Sequence, residues 1–492
     1  MKSSMKWGVE FSLLSKYQQG YLRLALPKGR LLATTANLLA KIGSGFKGYN
    51  ARARLYRLRS TRFSYLSAKM FQEKDIPIQV AIGNYDLGIC GLDWVEELQV
   101  GYPATTSVKV MDLGYGRGNL YVAASGQGGI SNIDEVLTGR NSWRIVSEYP
   151  NLAESFALNQ RLRSFRIFPV WGAAEVYPPE NADLAVLWAR GEERLASYGL
   201  TPLKVLLATS AFLIANERSL EAKDLNEILA CFSPEAIGES KSLLEAEAEV
   251  IGSSEAALSR QQRADSVWLA LPDGHQQPPT VEFLSRVRIN VEGYSEEGRN
   301  RRPSTDFDWL SVKVVRPQDM PLQVANGNFD LAISGKDWLL DHLYRFPSSP
   351  VAELADLGFG RVKIVAVVSK QLPVANIGEL RQLAKVGRLS PLRVASEYIN
   401  IADKYLRDNR ISPYKLIPTW GASEAFLPED ADLLIENSQT GRTLARHNLK
   451  VIDTLFESRA CLIGNMNNID SLTKKGRVAS LTEILRQAAE GG

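Results

Sequence analysis

Three cysteines stand in 492 residues, Cys90, Cys231 and Cys461, far apart and with no CxxC pair. That scarcity argues against a disulfide framework or a zinc site and fits a reducing compartment. No apolar run approaches the ~18 residues that a membrane helix needs. The first twenty residues interrupt their apolar patch with Glu10 and polar side chains, so they offer neither the h-region nor the cleavage site of a signal peptide. An excess of charge of one sign is also missing. The 58 Lys and Arg against 55 Asp and Glu leave a net charge of +3, too little for a general binder of nucleic acid or membrane surfaces. Any anion site has to come from local clusters of Arg and Lys. With 45% hydrophobic and 23% charged residues, the chain reads as an ordinary soluble, cytoplasmic protein of three or four compact units.

What the chain does have is internal repetition. Asp112-Leu-Gly-Tyr-Gly-Arg117 returns as Asp356-Leu-Gly-Phe-Gly-Arg361, and Lys74-Asp-Ile-Pro77 matches Gln318-Asp-Met-Pro321, both at a shift of 244. Ser147-Glu-Tyr-Pro-Asn151 returns as Ser396-Glu-Tyr-Ile-Asn400, and Trp171-Gly-Ala-Ala-Glu175 as Trp420-Gly-Ala-Ser-Glu424, both at a shift of 249. Such a period is far beyond the ~20–50 residues of solenoid repeats. It is the length of a domain pair, so the chain is a tandem duplication.

Each half opens on a short apolar strand ending in Pro and Gly, Tyr21–Leu26 before Gly29 and Val267–Leu271 before Gly274. Leu31, Leu32, Thr35, Leu38 and Leu39 follow at helical spacing. Val80–Ile89 and Val324–Ile333 each read as a helix end, a turn and a buried strand. Strands alternating with helices predict an α/β fold with largely parallel or mixed sheets flanked by helices. Apolar stretches near Val122–Ala124 and Leu203–Leu207 suggest that the chain leaves a first lobe and returns to it. The expected units are 21–216, with a second lobe at about 124–203, and 266–470, with a second lobe at about 368–450. A helical linker over 217–265, containing Leu243-Leu-Glu-Ala-Glu, joins them, and 471–492 form a helical tail.

Two loops carry chemistry. In the second half, Ala431–Leu444 reads as a strand, a polar turn and a helix start, with Thr440, Gly441, Arg442 and Thr443 at the turn. Amides at a helix N-terminus hold phosphate and hydroxyls add hydrogen bonds, although Ser/Thr with Gly is also an ordinary cap. Asp432 and Glu436 upstream are candidates for ribose hydroxyls or a metal-bound diphosphate. In the first half, Leu26-Pro-Lys-Gly-Arg30 sets two cations, Lys28 and Arg30, on a tight turn after a strand, suited to di- or triphosphate. Arg52, Arg54, Arg57 and Arg59 follow as a basic cluster, either solvated or anion-binding.

In order, Leu-Pro-Lys-Gly-Arg-Leu, Asp-Ile-Pro, Asp-Leu-Gly-Ile-x-Gly-x-Asp, Asp-Leu-Gly-x-Gly-Arg, Glu-Tyr-Pro-Asn and Thr-Gly-Arg-Thr-Leu resemble ATP phosphoribosyltransferase. The resemblance covers about 21–216 and 267–470. It implies two tandem copies of a two-lobed core of the type II periplasmic-binding-protein kind, with the active site in the cleft. It also implies transfer of phosphoribose from phosphoribosyl pyrophosphate to N1 of ATP, the first step of histidine biosynthesis, with Mg2+ carried by the diphosphate substrate. The Thr440–Leu444 loop would grip the 5-phosphate. Such a reaction needs a stabilised leaving group more than a strong base, which three histidines (His275, His342 and His447) do not contradict. The chain after about residue 470 is too short for the family's regulatory domain. A separate regulatory subunit or a further homo-oligomer is compatible, with no nucleic-acid or membrane partner.

The copies disagree where it matters. Thr440-Gly-Arg-Thr443 becomes Gly191-Glu-Glu-Arg194, whose carboxylates repel phosphate; Lys28 and Arg30 become Asp273 and His275; Arg316 stands where the first half has Gln72. Complementary losses predict one composite site, built from Lys28, Arg30, Arg316 and Thr440–Thr443, in a fused pseudo-dimer. Two damaged clefts in a non-catalytic, nucleotide- or anion-binding relative is the alternative. Arg117 and Arg361, kept in both copies, are phosphate contacts or parts of a hinge. Trp171 and Trp420 line an adenine pocket or, as the preferred expectation, serve as core indoles at strand ends.

Overall fold

Leu22, Leu24 and Leu26 on one face and Ala25 on the other bury both sides of the opening strand, Leu22–Lys28, as in the interior of a helix-covered parallel sheet. The computed structural model describes residues 21–53, 56–139, 142–232, 266–295, 300–421, 423–439, 441–469 and 474–490. In it this strand sits inside a six-stranded sheet, in the order Arg57–Arg59, Leu66–Gln72, Leu22–Lys28, Leu87–Gly91, Ala211–Asn216, Ser107–Asp112. It runs parallel to both neighbours, with Leu22 opposite Leu66 and Leu24 opposite Leu87. Ala211–Asn216 enters antiparallel, because the chain leaves after Ser107–Asp112, builds a second five-stranded sheet from Gly118–Ser125 to Leu200–Thr209, and returns.

The second half repeats the plan. Leu310–Val315, Val267–Pro272, Leu331–Gly335, Ala460–Asn465 and Val351–Asp356 form its first sheet in that order. Its second sheet spans Val362–Ser369 to Leu449–Ser458. Each half is therefore the two-lobed type II arrangement. The Asp-Leu-Gly motifs are the bends where the chain crosses between lobes. Gly114 and Gly116 have φ of 75° and 64°, and Gly358 and Gly360 repeat both values, a left-handed backbone that glycine adopts freely. Asp112 accepts from the Gly114 amide at 2.8 Å, and Asp356 from Gly358 at 2.9 Å. After the first half come the helices Glu217–Ala222 and Asn226–Cys231, and the tail helix is Lys475–Glu490. The Leu243–Glu247 stretch of the expected linker lies outside the described residues.

The halves interlock crosswise. The second lobe of the first half shares one apolar core with the first lobe of the second half, Tyr121, Phe168 and Tyr177 packing with Trp268, Met320 and Phe329. The other two lobes share another, Phe71 and Tyr85 with Val367, Phe426 and Leu434. Each interface carries the same buried lysine. Lys69 Nζ reaches Asp430 at 2.6 Å, and its twin Lys313 Nζ reaches Glu180 and Asn181, both at 2.7 Å. Arg57, from the basic cluster, serves this interface too, bonding Glu429 and the Leu427 carbonyl; Arg54 lies outside the described residues. The chain is thus an intramolecular pseudo-dimer.

Candidate active site

A cavity of about 1160 Å3 opens between the halves, walled by all four lobes. Trp171 and Trp420 are twin residues whose ring centroids are 6.1 Å apart across it. They therefore mark the pseudo-two-fold axis. Both are half-buried and line the cavity, and Trp171 also packs against an apolar core of the second half, so the expected core role and the pocket role coexist there. The surrounding scaffold is mirrored: Trp94 packs on Tyr149 at 4.2 Å and Trp338 on Tyr398 at 4.3 Å. The Tyr149 and Tyr398 hydroxyls donate to Asp93 and Asp337, each at 2.6 Å.

On this symmetric frame the lining is not symmetric. Lys28 Nζ donates to the Tyr56 hydroxyl at 3.2 Å, and the Tyr56 ring lies 5.6 Å from the ring of His447, which ends the helix Arg442–Arg446 of the other half. Arg30 lines the same cavity, but Glu73 at 2.8 Å and Asp93 at 2.7 Å hold its guanidinium against Trp188. Burial works against its charge, yet the two carboxylates outweigh it and keep Arg30 protonated. Arg30 thus clamps its loop, with its charge already balanced.

In the second half Asp273 replaces Lys28, but Arg301 stands where Tyr56 does and pairs with Asp273 at 2.7 Å. Counting only the Pro-Gly loop gives two lost cations, and the fold returns one of them from the bend that precedes strand Ser304–Thr305. Arg316 also lines the cavity. It abuts Gly172 of the first half, where a Cβ would lie 2.5 Å from Nε. Its Nε is buried without a hydrogen-bond partner among the described residues.

Of the phosphate loop, Thr440 and the Arg442 side chain lie outside the described residues. Gly441, at φ 69°, caps the helix, and together with Thr443 it faces the cavity. A Cβ on Gly441 would meet open space, whereas at Gly191 it would collide with the folded-back Glu193 carboxylate. Glu436 lines the cavity and accepts from Ser423 Oγ; burial, then the neighbouring Glu397, pushes its pKa well above the carboxylate range. Its first-half twin is Leu187, and Trp188 stands where the second half has Asn437.

Three expected site residues fall outside the cavity lining. Asp432 is bound by Arg393 through Nη2 at 2.8 Å and Nε at 3.2 Å, and Asp183 is held by Arg144 at the same two distances. The reason is simple: strand Leu433–Ser438 separates Asp432 from the loop, and six extended residues at ~3.3 Å each carry it roughly 20 Å away. Asp432→Asn is accordingly expected to lower the melting temperature while leaving substrate KM within about twofold, as thermal denaturation beside initial rates will report. Arg117 is exposed, and Arg361, 59% exposed, only approaches Glu457 at 3.9 Å.

Sequence reasoning missed Lys74, Glu148 and Glu397, although all three lie inside the repeated motifs. Glu148 and Glu397 are pushed up to about 7 by burial, with Lys74 pulling the other way. A carboxyl near 7 in the folded state and near 4.5 when unfolded makes the folded chain bind more protons in that window. Stability therefore falls as pH rises from about 4.5 through 7, by roughly 1.4 kcal/mol per pH unit for each responding group. Glu148→Gln is expected to raise the melting temperature at pH 8 by a few degrees and to change little at pH 5. Denaturation scans at both pH values check this.

A family model described as HisG: ATP phosphoribosyltransferase matches residues 72–233 and, a second time, 316–487. The chain belongs to the ATP phosphoribosyltransferase family. The ATP phosphoribosyltransferase of Chlorobium phaeovibrioides is 30% identical over 225 residues, which are 45% of this chain and 70% of that one. That of Sulfurisphaera tokodaii is 32% identical over 206 residues, 41% and 66% of the two chains. Among solved structures, the ATP phosphoribosyl transferase (HisG:HisZ) complex from Thermotoga maritima aligns with 46% of this chain and 100% of its own, at 21% identity and a TM-score of 0.36. Two matches of the ATP phosphoribosyltransferase model fit a duplicated member, each match starting at the twin positions Gln72 and Arg316. Among the described residues no helix is long and apolar enough to cross a membrane.

Proposed function

We propose that this chain is a pentosyl-transferring ATP phosphoribosyltransferase, opening histidine biosynthesis at one composite site in a fused pseudo-dimer. One observation carries the reading. Lys28 of the first half and Gly441 and Thr443 of the second open on one cavity, while the mirror positions hold Asp273 and a loop filled by its own Glu193. In this reading Thr440, Gly441, Arg442 and Thr443 take the 5-phosphate and Glu436 the ribose hydroxyls. Lys28 neutralises the diphosphate or the ATP phosphates, held in place by Tyr56; Arg30 positions the Lys28 loop, and Arg316 enters from the opposite wall. Mg2+ arrives as part of the diphosphate substrate. Charge development on the departing pyrophosphate is the main barrier, and preorganised cations in a half-closed cavity lower it.

A separate regulatory subunit suits the family, since the Thermotoga maritima structure is a HisG:HisZ complex. Purified protein with ATP, phosphoribosyl pyrophosphate and Mg2+ is expected to form phosphoribosyl-ATP, read by its absorbance and by mass spectrometry. Failure to form it, even with a histidine-pathway regulatory subunit added, would favour a ligand-binding relative.

A further inference from the structure

Lys74 is a half-buried cation with no carboxylate oxygen at ion-pair distance among the described residues, and it lines the cavity. It follows strand Leu66–Gln72 and starts the helix Asp75–Ala81. Its Nζ stands 5.3 Å from the ring centroids of both Trp171 and Trp420, twins from opposite halves, and 5.8 Å from Trp94. Equal distance from twin rings puts the ammonium in the plane that bisects them, between the two halves. Its hydrogen bond to the Trp171 carbonyl is a long one, at 3.4 Å. Burial draws its pKa down, Glu148, Asp75 and Asp319 push it up, Arg316 adds to the depression, and Glu397 faces it from the other half.

Buried ammonium groups are normally paired, because desolvating a lone charge costs several kcal/mol. Indole faces offset part of that cost. Lys74 is only partly desolvated, and an unpaired ammonium framed by three indoles on a cavity wall suits an anion that a ligand brings. The position is also one-sided: the twin of Lys74 is Gln318, a neutral amide that lines the same cavity. In a symmetric dimer of single units, two copies of this residue would line one cavity, as Lys74 and Gln318 do here, and two ammoniums there would repel. Joining the halves in one chain permits a lysine on one side and a neutral glutamine on the other.

We propose that Lys74 is a catalytic residue of the composite site, its ammonium contacting the pyrophosphate group. This rests on the transferase reading above. As adenine N1 bonds to C1 of the ribose, the C1–O bond breaks and its electron pair leaves on the pyrophosphate oxygen. The positive charge passed to the purine is shed as a proton from its exocyclic amine. Lys74 meets the negative charge that grows on the leaving oxygen.

Lys74→Gln, which installs the residue of the other half, is expected to lower kcat by ~100-fold, the usual effect of losing one preorganised donor. Its KM for ATP should change by less than threefold. Lys74→Met keeps the side-chain volume without the charge and should match Lys74→Gln, while Lys74→Arg should recover at least tenfold in rate. Binding of inorganic pyrophosphate with Mg2+, followed by calorimetry, should weaken tenfold or more in Lys74→Gln and Lys74→Met. Lys74→Met with wild-type kcat and wild-type pyrophosphate affinity would overturn the proposal. If the wild-type protein forms no product, the transferase reading fails, and the pyrophosphate titration still decides whether Lys74 holds the anion.

Discussion

Lys28→Ala and Thr443→Ala are each expected to abolish turnover, lowering kcat/KM by ~100-fold or more, although the residues belong to different halves of the chain. In the composite reading the two residues serve different phosphates of one substrate pair, so neither would compensate for the other. A charge-assisted contact to phosphate is about twice as strong as a neutral hydrogen bond, and its loss is felt most where charge grows in the transition state. The mirror variants Asp273→Ala and Glu193→Ala should stay within about twofold of wild type, because Asp273 is paired with Arg301 and Glu193 folds over its own loop. Self-contained clefts predict another pattern, in which each single variant silences one cleft and leaves the other half of the activity. Full activity in either Lys28→Ala or Thr443→Ala would sink the composite model. The measurement is initial rates with both substrates varied, on variants whose melting temperature matches wild type.

The fold was legible because duplication writes each structural rule twice. Asp112 and Asp356 cap the same glycine bend, and Tyr149 and Tyr398 bond the same aspartate. A pattern kept in both copies with identical geometry is a scaffold, and a residue present in one copy alone is a candidate for chemistry. Lys28 and Thr443 obey that logic, and the structure brings both to one cavity. Asp432 shows its limit. It reads as a ribose ligand by closeness in sequence, yet its twin Asp183 makes the same bonds to a twin arginine. Both members of that Arg–Asp pair recur in the two copies at the same separation in sequence, which marks them as scaffold.

Two features could not be read from the chain. Arg301 restores a cation beside Asp273 only because strand pairing carries it from a different segment to the same turn. Lys74 gains its meaning from its place between the two halves, and no spacing within one half reveals which residues of two halves converge. The alignment of motifs did show that Lys74 faces Gln318 across the repeat. What it could not show is that this difference lies where both halves touch one cavity.

Lys313→Ala is expected to destabilise the whole chain by about 3 kcal/mol, at the low end of the ~3–5 kcal/mol for stripping one partner from a buried pair. Its ammonium, 1% exposed, meets the equally buried Glu180 at 2.7 Å, Asn181 at 2.7 Å and the Val176 carbonyl at 2.9 Å. Burial alone would raise the Glu180 pKa, yet Lys313 and Arg302 hold it below the ordinary carboxylate value. Arg302 remains at 2.6 Å after the substitution, which is why the low end applies. The twin Lys69→Ala should cost at least as much, since it strands the fully buried Asp430, 2.6 Å from Nζ and without a second cation among the described residues. Lys313→Met strands Glu180 as well, and adding Glu180→Gln should recover part of the loss, so the double variant separates charge from volume. Denaturant unfolding followed by tryptophan fluorescence tests a further consequence. Apolar cores shared crosswise between halves make the two halves one cooperative unit, with a single transition that Lys313→Ala shifts as a whole. Two separated transitions, with only one moved by the substitution, would mean that the halves stand independently. A cavity walled by all four lobes would then have no fixed shape in which Lys28 and Thr443 could share a substrate.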